Sequence, residues 1–178
     1  FASGAFFALL GGASFVAGAV FNLSPFWSGV GLGAPAIGYA LGNFLSGRYS
    51  VRVGINRMAL IGTVVTLIGM GISLALALGG ISNPLIFFGF CTFLGAGNGM
   101  SMPSATAGLL SVRPRLAGTA SGLGSAIMVG GGAALSQLAG GLLTVESGTI
   151  PLQWVMFIVS GLALLSIVFV IAREKQIK

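Results

Sequence analysis

The chain has 178 residues, of which 56% are hydrophobic and only 6% are charged. A soluble domain carries about 25% charged residues, so this chain cannot cover a water-facing surface and needs lipid as its solvent. It has no histidine and one cysteine, which excludes a disulfide framework and argues against a Cys/His metal cluster. We therefore expect neither a metal nor another cofactor.

Six segments are apolar over the roughly 20 residues that a membrane-spanning helix needs. They cover residues 1–21, 27–46, 58–78, 85–111, 118–145 and 154–172. The chain opens on an apolar run with no basic residue before it, so we expect Phe1 to lie inside or at the edge of a membrane helix. The sequence predicts an all-α membrane protein, with residues 1–178 forming a single six-helix bundle.

The basic residues all fall on one side of this six-span arrangement. They follow the second, fourth and sixth spans: Arg48, Arg52, Arg57, Arg113, Arg115, Arg173, Lys175 and Lys178. The positive-inside rule places that side, and with it both ends of the chain, in the cytoplasm of a plasma membrane. This pattern explains the net charge of +6 as a signal of orientation, so we expect no binding to nucleic acid.

Polar, aromatic and thioether side chains inside the spans are candidates for a substrate cavity. They are Phe7, Tyr39, Asn43, Asn98, Met102, Met128 and Gln137. The alternative is that the polar groups form hydrogen bonds between helices and that the apolar groups face lipid or the core. None of the spans contains Asp, Glu, Lys, Arg or His, so a proton carrier would have to lie in a partner.

Small residues four positions apart form two stripes, which we interpret as packing faces, although glycine is abundant enough here for chance stripes. The second span carries Ala34, Gly38, Gly42 and Ser46, and the fifth carries Gly118, Gly122, Ala126, Gly130 and Ala134. Each of these spans is the middle member of a triplet, as a three-plus-three repeat would require. In the fourth span, Pro103 predicts a kink.

The segment from Gly38 to Arg57 resembles the loop between helices eight and nine of major facilitator transporters, above all those of the Bcr/CflA drug-resistance branch. The residues that carry this loop motif are Gly42, Gly47, Arg48, Arg52, Gly54 and Arg57. Two further stretches, 102–107 and 114–122, resemble the region of helices ten and eleven in that branch. An acidic residue usually follows the first glycine of the motif, but Ser46 and Gly47 occupy that area here, so a gating lock between an acid and an arginine is doubtful.

The resemblance implies the C-terminal half, helices seven to twelve, of a rocker-type exporter in a bacterial inner membrane. Its implied partners are the lipid bilayer, an N-terminal six-helix half, a small-molecule substrate and protons. Spans one, two, four and five would face the cavity or the partner half. Two alternatives stay open, a complete six-span scaffold and a self-associating channel or transporter subunit. We expect no enzymatic activity, because no catalytic constellation is present.

Overall fold

The structure is a computed structural model that describes residues 3–111 and 117–177. Six helices account for nearly all of these residues. They are α1 (Gly4–Phe15, continued by a π-helical turn at Val16–Val20), α2 (Pro25–Val53), α3 (Ile55–Leu78), α4 (Pro84–Ser111), α5 (Ala117–Gly141) and α6 (Ile150–Ile177). The predicted all-α membrane fold is confirmed. Arg113, Arg115 and Lys178 lie outside the described residues.

Four of the helices are long and apolar enough to cross a membrane by length and composition, namely α3, α4, α5 and α6. The segment Gly4–Val20 is a shorter apolar helix. Helix α2 has 29 residues, but glycine, serine and arginine make it less apolar than the others. Its length of about 43 Å nevertheless exceeds the roughly 30 Å hydrocarbon core.

The boundary of α2 corrects one sequence-based expectation. Gly47 belongs to the motif that resembles a loop, but it lies inside α2, which continues through Arg48 and Arg52 to Val53. The chain turns only at Gly54, where φ is +91°, a conformation that glycine adopts without steric cost. The joint between the second and third helices is therefore a single residue, and two basic residues assigned to a loop extend α2 instead.

The pattern of neighbouring helices is the same for the first three helices and for the last three. Helix α2 packs on α4 as α1 packs on α5, and α3 packs on α4 as α1 packs on α6, while α3 and α6 pack on each other. Exchanging the triplets α1–α3 and α4–α6 reproduces this set of neighbours. Such an exchange is what an internal repeat of three helices produces.

Glycines bring α2 and α4 into backbone contact. A Cβ atom added at Gly38 would lie 2.9 Å from the amide nitrogen of Ala96, and one added at Gly42 would lie 3.0 Å from the Cα of Gly99. Real Cβ atoms need more space than this, so only glycine fits. Close approach of this kind provides the van der Waals contact that holds helices together where lipid gives no hydrophobic driving force.

Polar contacts join α3 and α6 at both ends of the bundle, so these two helices run antiparallel. At one end, the Gln153 amide of α6 donates to the Ser73 hydroxyl of α3 at 2.9 Å. At the other end, the side chain of Asn56, which follows the α2–α3 joint, donates to Glu174 of α6 at 2.5 Å. Arg57 lines a shallow hollow together with Glu174. The basic residues of the described chain thus share one end, as the charge pattern predicts.

Candidate functional site

A cavity of about 330 Å³ lies among four helices, α1, α2, α4 and α5. It is lined by Ser3, Phe6, Phe7, Leu9, Leu10, Leu32, Pro35, Ala36, Tyr39, Asn98, Met102 and Met128. Five of the seven candidate cavity residues are in this set: Phe7, Tyr39, Asn98, Met102 and Met128. They come from four separate helices, so the fold assembles them. The described lining contains no charged side chain.

Asn98 is the polar group best placed to recognise a ligand. It is only 4% exposed and it lines the cavity. Its side-chain amide makes no hydrogen bond within the described part of the chain, and no enclosed side-chain nitrogen or oxygen there lacks a partner, so the amide atoms are open to the cavity. Buried polar groups are nearly always paired, and pockets of this type use few polar groups on apolar walls to orient a ligand. The Asn98 amide can donate to and accept from a molecule in the cavity.

The glycine contact between α2 and α4 places Tyr39 at the wall. A Cβ at Gly95 would lie 3.0 Å from the amide nitrogen of Tyr39, and one at Gly99 would meet the Tyr39 carbonyl oxygen. The backbone of Tyr39 therefore lies directly against the glycine-rich turn of α4 that carries Asn98. Because the two backbones touch, the positions of the Tyr39 phenol and the Asn98 amide depend on each other.

The glycines of α4 allow close contact with two neighbouring helices. Gly95 and Gly99 lie against α2, and Gly97 lies against Gly62 and Thr66 of α3. They permit close contact with two neighbours while Asn98, on the same turn, lines the cavity. Alternating small residues thus give α4 its central place in the bundle.

Pro103 lies inside α4. Because proline has no backbone N–H, the carbonyl of Gly99, four residues earlier, receives no hydrogen bond from it. Two serine hydroxyls on the same stretch bond back to the helix. Ser101 donates to the carbonyl of Gly97 at 2.8 Å and Ser104 donates to that of Met100 at 3.1 Å. Back-bonding of this kind accompanies bending of helices. The predicted kink stays a prediction.

Two candidate cavity residues do not line the cavity. The Asn43 amide donates to the Tyr39 carbonyl at 3.0 Å within α2. Gln137 is exposed on α5, away from the face that contacts α1 through Gly132 and Phe7. Both residues are on the expected helices, but Asn43 lies one turn beyond Tyr39 and bonds back to its own helix, and Gln137 lies on another face of α5.

The two small-residue stripes differ in what they contact. Gly38 and Gly42 are buried against α4, and Ala34 packs at the edge of the apolar core. Cβ atoms added at Gly118, Gly122 and Gly130 would meet nothing within 4 Å. The predicted packing role of the α5 stripe therefore has no counterpart among the described residues, because α5 uses another face, around Gly132, to contact α1.

Several apolar lining residues escaped sequence reasoning, chiefly Leu9, Leu10, Leu32, Pro35 and Ala36. An aliphatic side chain in an apolar span looks the same whether it faces lipid, core or cavity. Pro35 offered one signal, because it stands inside a membrane helix four residues before Tyr39.

The model of the Major Facilitator Superfamily matches residues 1–177. The chain belongs to the Major Facilitator Superfamily. Comparison with curated proteins and with solved structures gives no match. Members of this superfamily are multi-pass membrane proteins that carry out membrane transport. The predicted resemblance to major facilitator transporters is therefore confirmed for the superfamily.

Within the superfamily, a cavity between helices of opposite triplets is a suitable place for a transported molecule. Here α1 and α2 come from the first triplet and α4 and α5 from the second. The described parts of α3 and α6 contribute no residue to the lining.

Proposed function

We propose that this chain is the C-terminal six-helix half of a proton-coupled transporter that exports drugs or other small molecules, as in the Bcr/CflA branch. Its N-terminal half would complete the transport path and supply the acid for proton coupling. The proposal places the protein in a bacterial inner membrane with the basic end of the bundle in the cytoplasm, in keeping with the positive-inside rule.

The observation that carries the proposal is the cavity around Asn98. Aromatic and thioether groups from Phe7, Met102 and Met128 surround one unpaired amide. Methionine repacks easily around ligands of different shape, and an apolar wall with few polar groups suits small organic molecules. This composition supports a substrate with an aromatic or aliphatic body and one or two hydrogen-bonding groups.

The proposal is tested by filling the cavity from one side. Met128 lines the cavity, whereas Ile68 is 55% exposed on α3, which contributes no residue to the lining. The full-length product, reconstituted in vesicles under an imposed proton gradient, is assayed with ethidium and Nile red as cationic and uncharged aromatic probes. We expect Met128→Trp to lower transport by about tenfold, since the indole takes the place of substrate, and Ile68→Trp to retain it.

Two outcomes contradict parts of the proposal. Equal transport by Met128→Trp and the unmodified protein would exclude this cavity as the substrate path. Transport that continues unchanged after a protonophore collapses the gradient would exclude proton coupling while leaving the cavity assignment intact.

A further inference from the structure

A second site lies at the basic end of α2, away from the cavity. Arg48 and Arg52 are one helical turn apart, and together with Tyr49 they line a hollow of about 300 Å³. Both arginines are exposed, and neither makes a hydrogen bond or an ion pair within the part of the chain that the structure describes. Two unpaired guanidinium groups and a phenol in one hollow form a binding site for an anion with several oxygen atoms.

The acidic residues of the protein do not neutralise this pair. The chain has only two, Glu146 and Glu174. Glu146 lies in the turn between α5 and α6, at the opposite end of the bundle, and Glu174 lines a separate hollow with Asn56 and Arg57. The positive charge of Arg48 and Arg52 is therefore available to a ligand from outside the chain.

The stripe of α2 below the two arginines identifies the kind of ligand. Ile37, Leu41 and Leu45 precede Arg48 and Arg52 at spacings of three and four residues, which places all five on one side of the helix. The three apolar side chains are 65%, 57% and 41% exposed, respectively. An uncovered apolar stripe that ends in two unpaired arginines matches a molecule with a hydrocarbon tail and an anionic head.

The dimensions fit a membrane lipid. From Ile37 to Arg48 the helix rises about 16 Å, and one leaflet of the hydrocarbon core is about 15 Å thick. Tyr39, which lines the cavity, is two residues from both Ile37 and Leu41, so the stripe lies on nearly the opposite side of α2. A ligand on this stripe would not compete with a molecule in the cavity.

We infer that Arg48, Tyr49 and Arg52 form a binding site for the phosphate of an anionic phospholipid whose acyl chain lies along Ile37, Leu41 and Leu45. The two guanidinium groups clamp the phosphate oxygens and the Tyr49 hydroxyl donates a further hydrogen bond. A soluble phosphate compound offers the same head-group chemistry but leaves the apolar stripe uncovered. The inference does not depend on the substrate or on proton coupling.

The test is native mass spectrometry of the delipidated full-length product, titrated with phosphatidylglycerol or with phosphatidylcholine. We expect preferential binding of phosphatidylglycerol. We also expect a loss of about fivefold in affinity for each of Arg48→Gln and Arg52→Gln, as one interfacial arginine contributes about 1 kcal/mol. Arg173→Gln, which removes the same charge from the same end of the bundle, is the matched control and should change little. Size-exclusion chromatography checks that each variant remains folded.

Two further arms separate the possible sources of the phosphate. Leu41→Ser should weaken lipid binding, because it interrupts the stripe, and glycerol phosphate at millimolar concentration should not displace the lipid. Equal binding of both lipids, or equal losses from Arg48→Gln and Arg173→Gln, would overturn the inference. Displacement by glycerol phosphate together with no effect of Leu41→Ser would also overturn it, since the site would then bind a soluble anion.

Discussion

At the scale of single residues, a substitution of Asn98 can affect transport without affecting the stability of the fold. The Asn98 amide makes no hydrogen bond among the described residues and opens to the cavity, so no polar contact of the fold depends on it. Apolar neighbours surround it in the cavity, and the nearest sequence features, Gly97 and Gly99, already provide the helix contacts. Under the proposed function, this amide would bind the transported molecule.

We therefore expect Asn98→Leu to lower transport by about tenfold while leaving the thermal unfolding temperature unchanged or higher. The leucine has the same branching and the same number of side-chain heavy atoms, and it removes the amide. Thermal unfolding in detergent and the vesicle assay measure the two effects on one preparation. Ser166→Leu, at an exposed position of α6, which contributes no residue to the cavity lining, is the control and should keep its transport. A fall in unfolding temperature for Asn98→Leu would show that the amide is structural.

At the scale of helices, α2 and α4 are held by glycines, so the effect of an added methyl group depends on the side of the helix. On α2, Gly38 lies against Ala96 and Thr92, whereas a Cβ at Gly33 would meet nothing within 4 Å. We expect Gly38→Ala to lower the free energy of unfolding by about 1–3 kcal/mol through overpacking.

The matched variant Gly33→Ala should leave that free energy unchanged or raise it, since alanine loses less conformational freedom than glycine in a helix. Denaturation in mixed micelles measures both variants. Equal effects of the two substitutions would mean that helix propensity, and not contact between α2 and α4, determines stability.

Helices and their composition were predictable from the sequence, but their rotation about their own axes was not. Hydropathy located six helices because the bilayer imposes a length on apolar runs. The end of α2 was missed, since Gly47 looks like a turn residue until its neighbours show that the helix continues. Asn98 and Gln137 are equally polar in sequence, and only the contacts of α4 and α5 show that one faces the cavity and the other does not.

At the scale of the whole molecule, α5 is the helix that the rest of the described chain covers least. Only 11% of its apolar window is buried, and its stripe of Gly118, Gly122 and Gly130 is open. Following the proposal that this chain is half of a transporter, we expect this face to pack against the other half.

This expectation is tested by expressing the two halves as separate polypeptides and measuring their co-purification. Gly130→Leu should reduce co-purification severalfold without changing the folding of the chain itself. Gly132→Leu, two residues away, should instead disturb the contact with Phe7 on α1. Normal co-purification with Gly130→Leu would indicate that the open stripe faces lipid.

The backbone contact of Gly95 and Gly99 with Tyr39 also bears on how such a protein changes over generations. The scaffold is held by main-chain atoms and glycines, while the cavity is lined by side chains such as Leu32 and Met102. Replacements in the lining can therefore accumulate without moving the helices, and selection can shift the range of transported compounds in small steps. New specificity would then arise at the cavity wall, and the glycine positions would remain fixed.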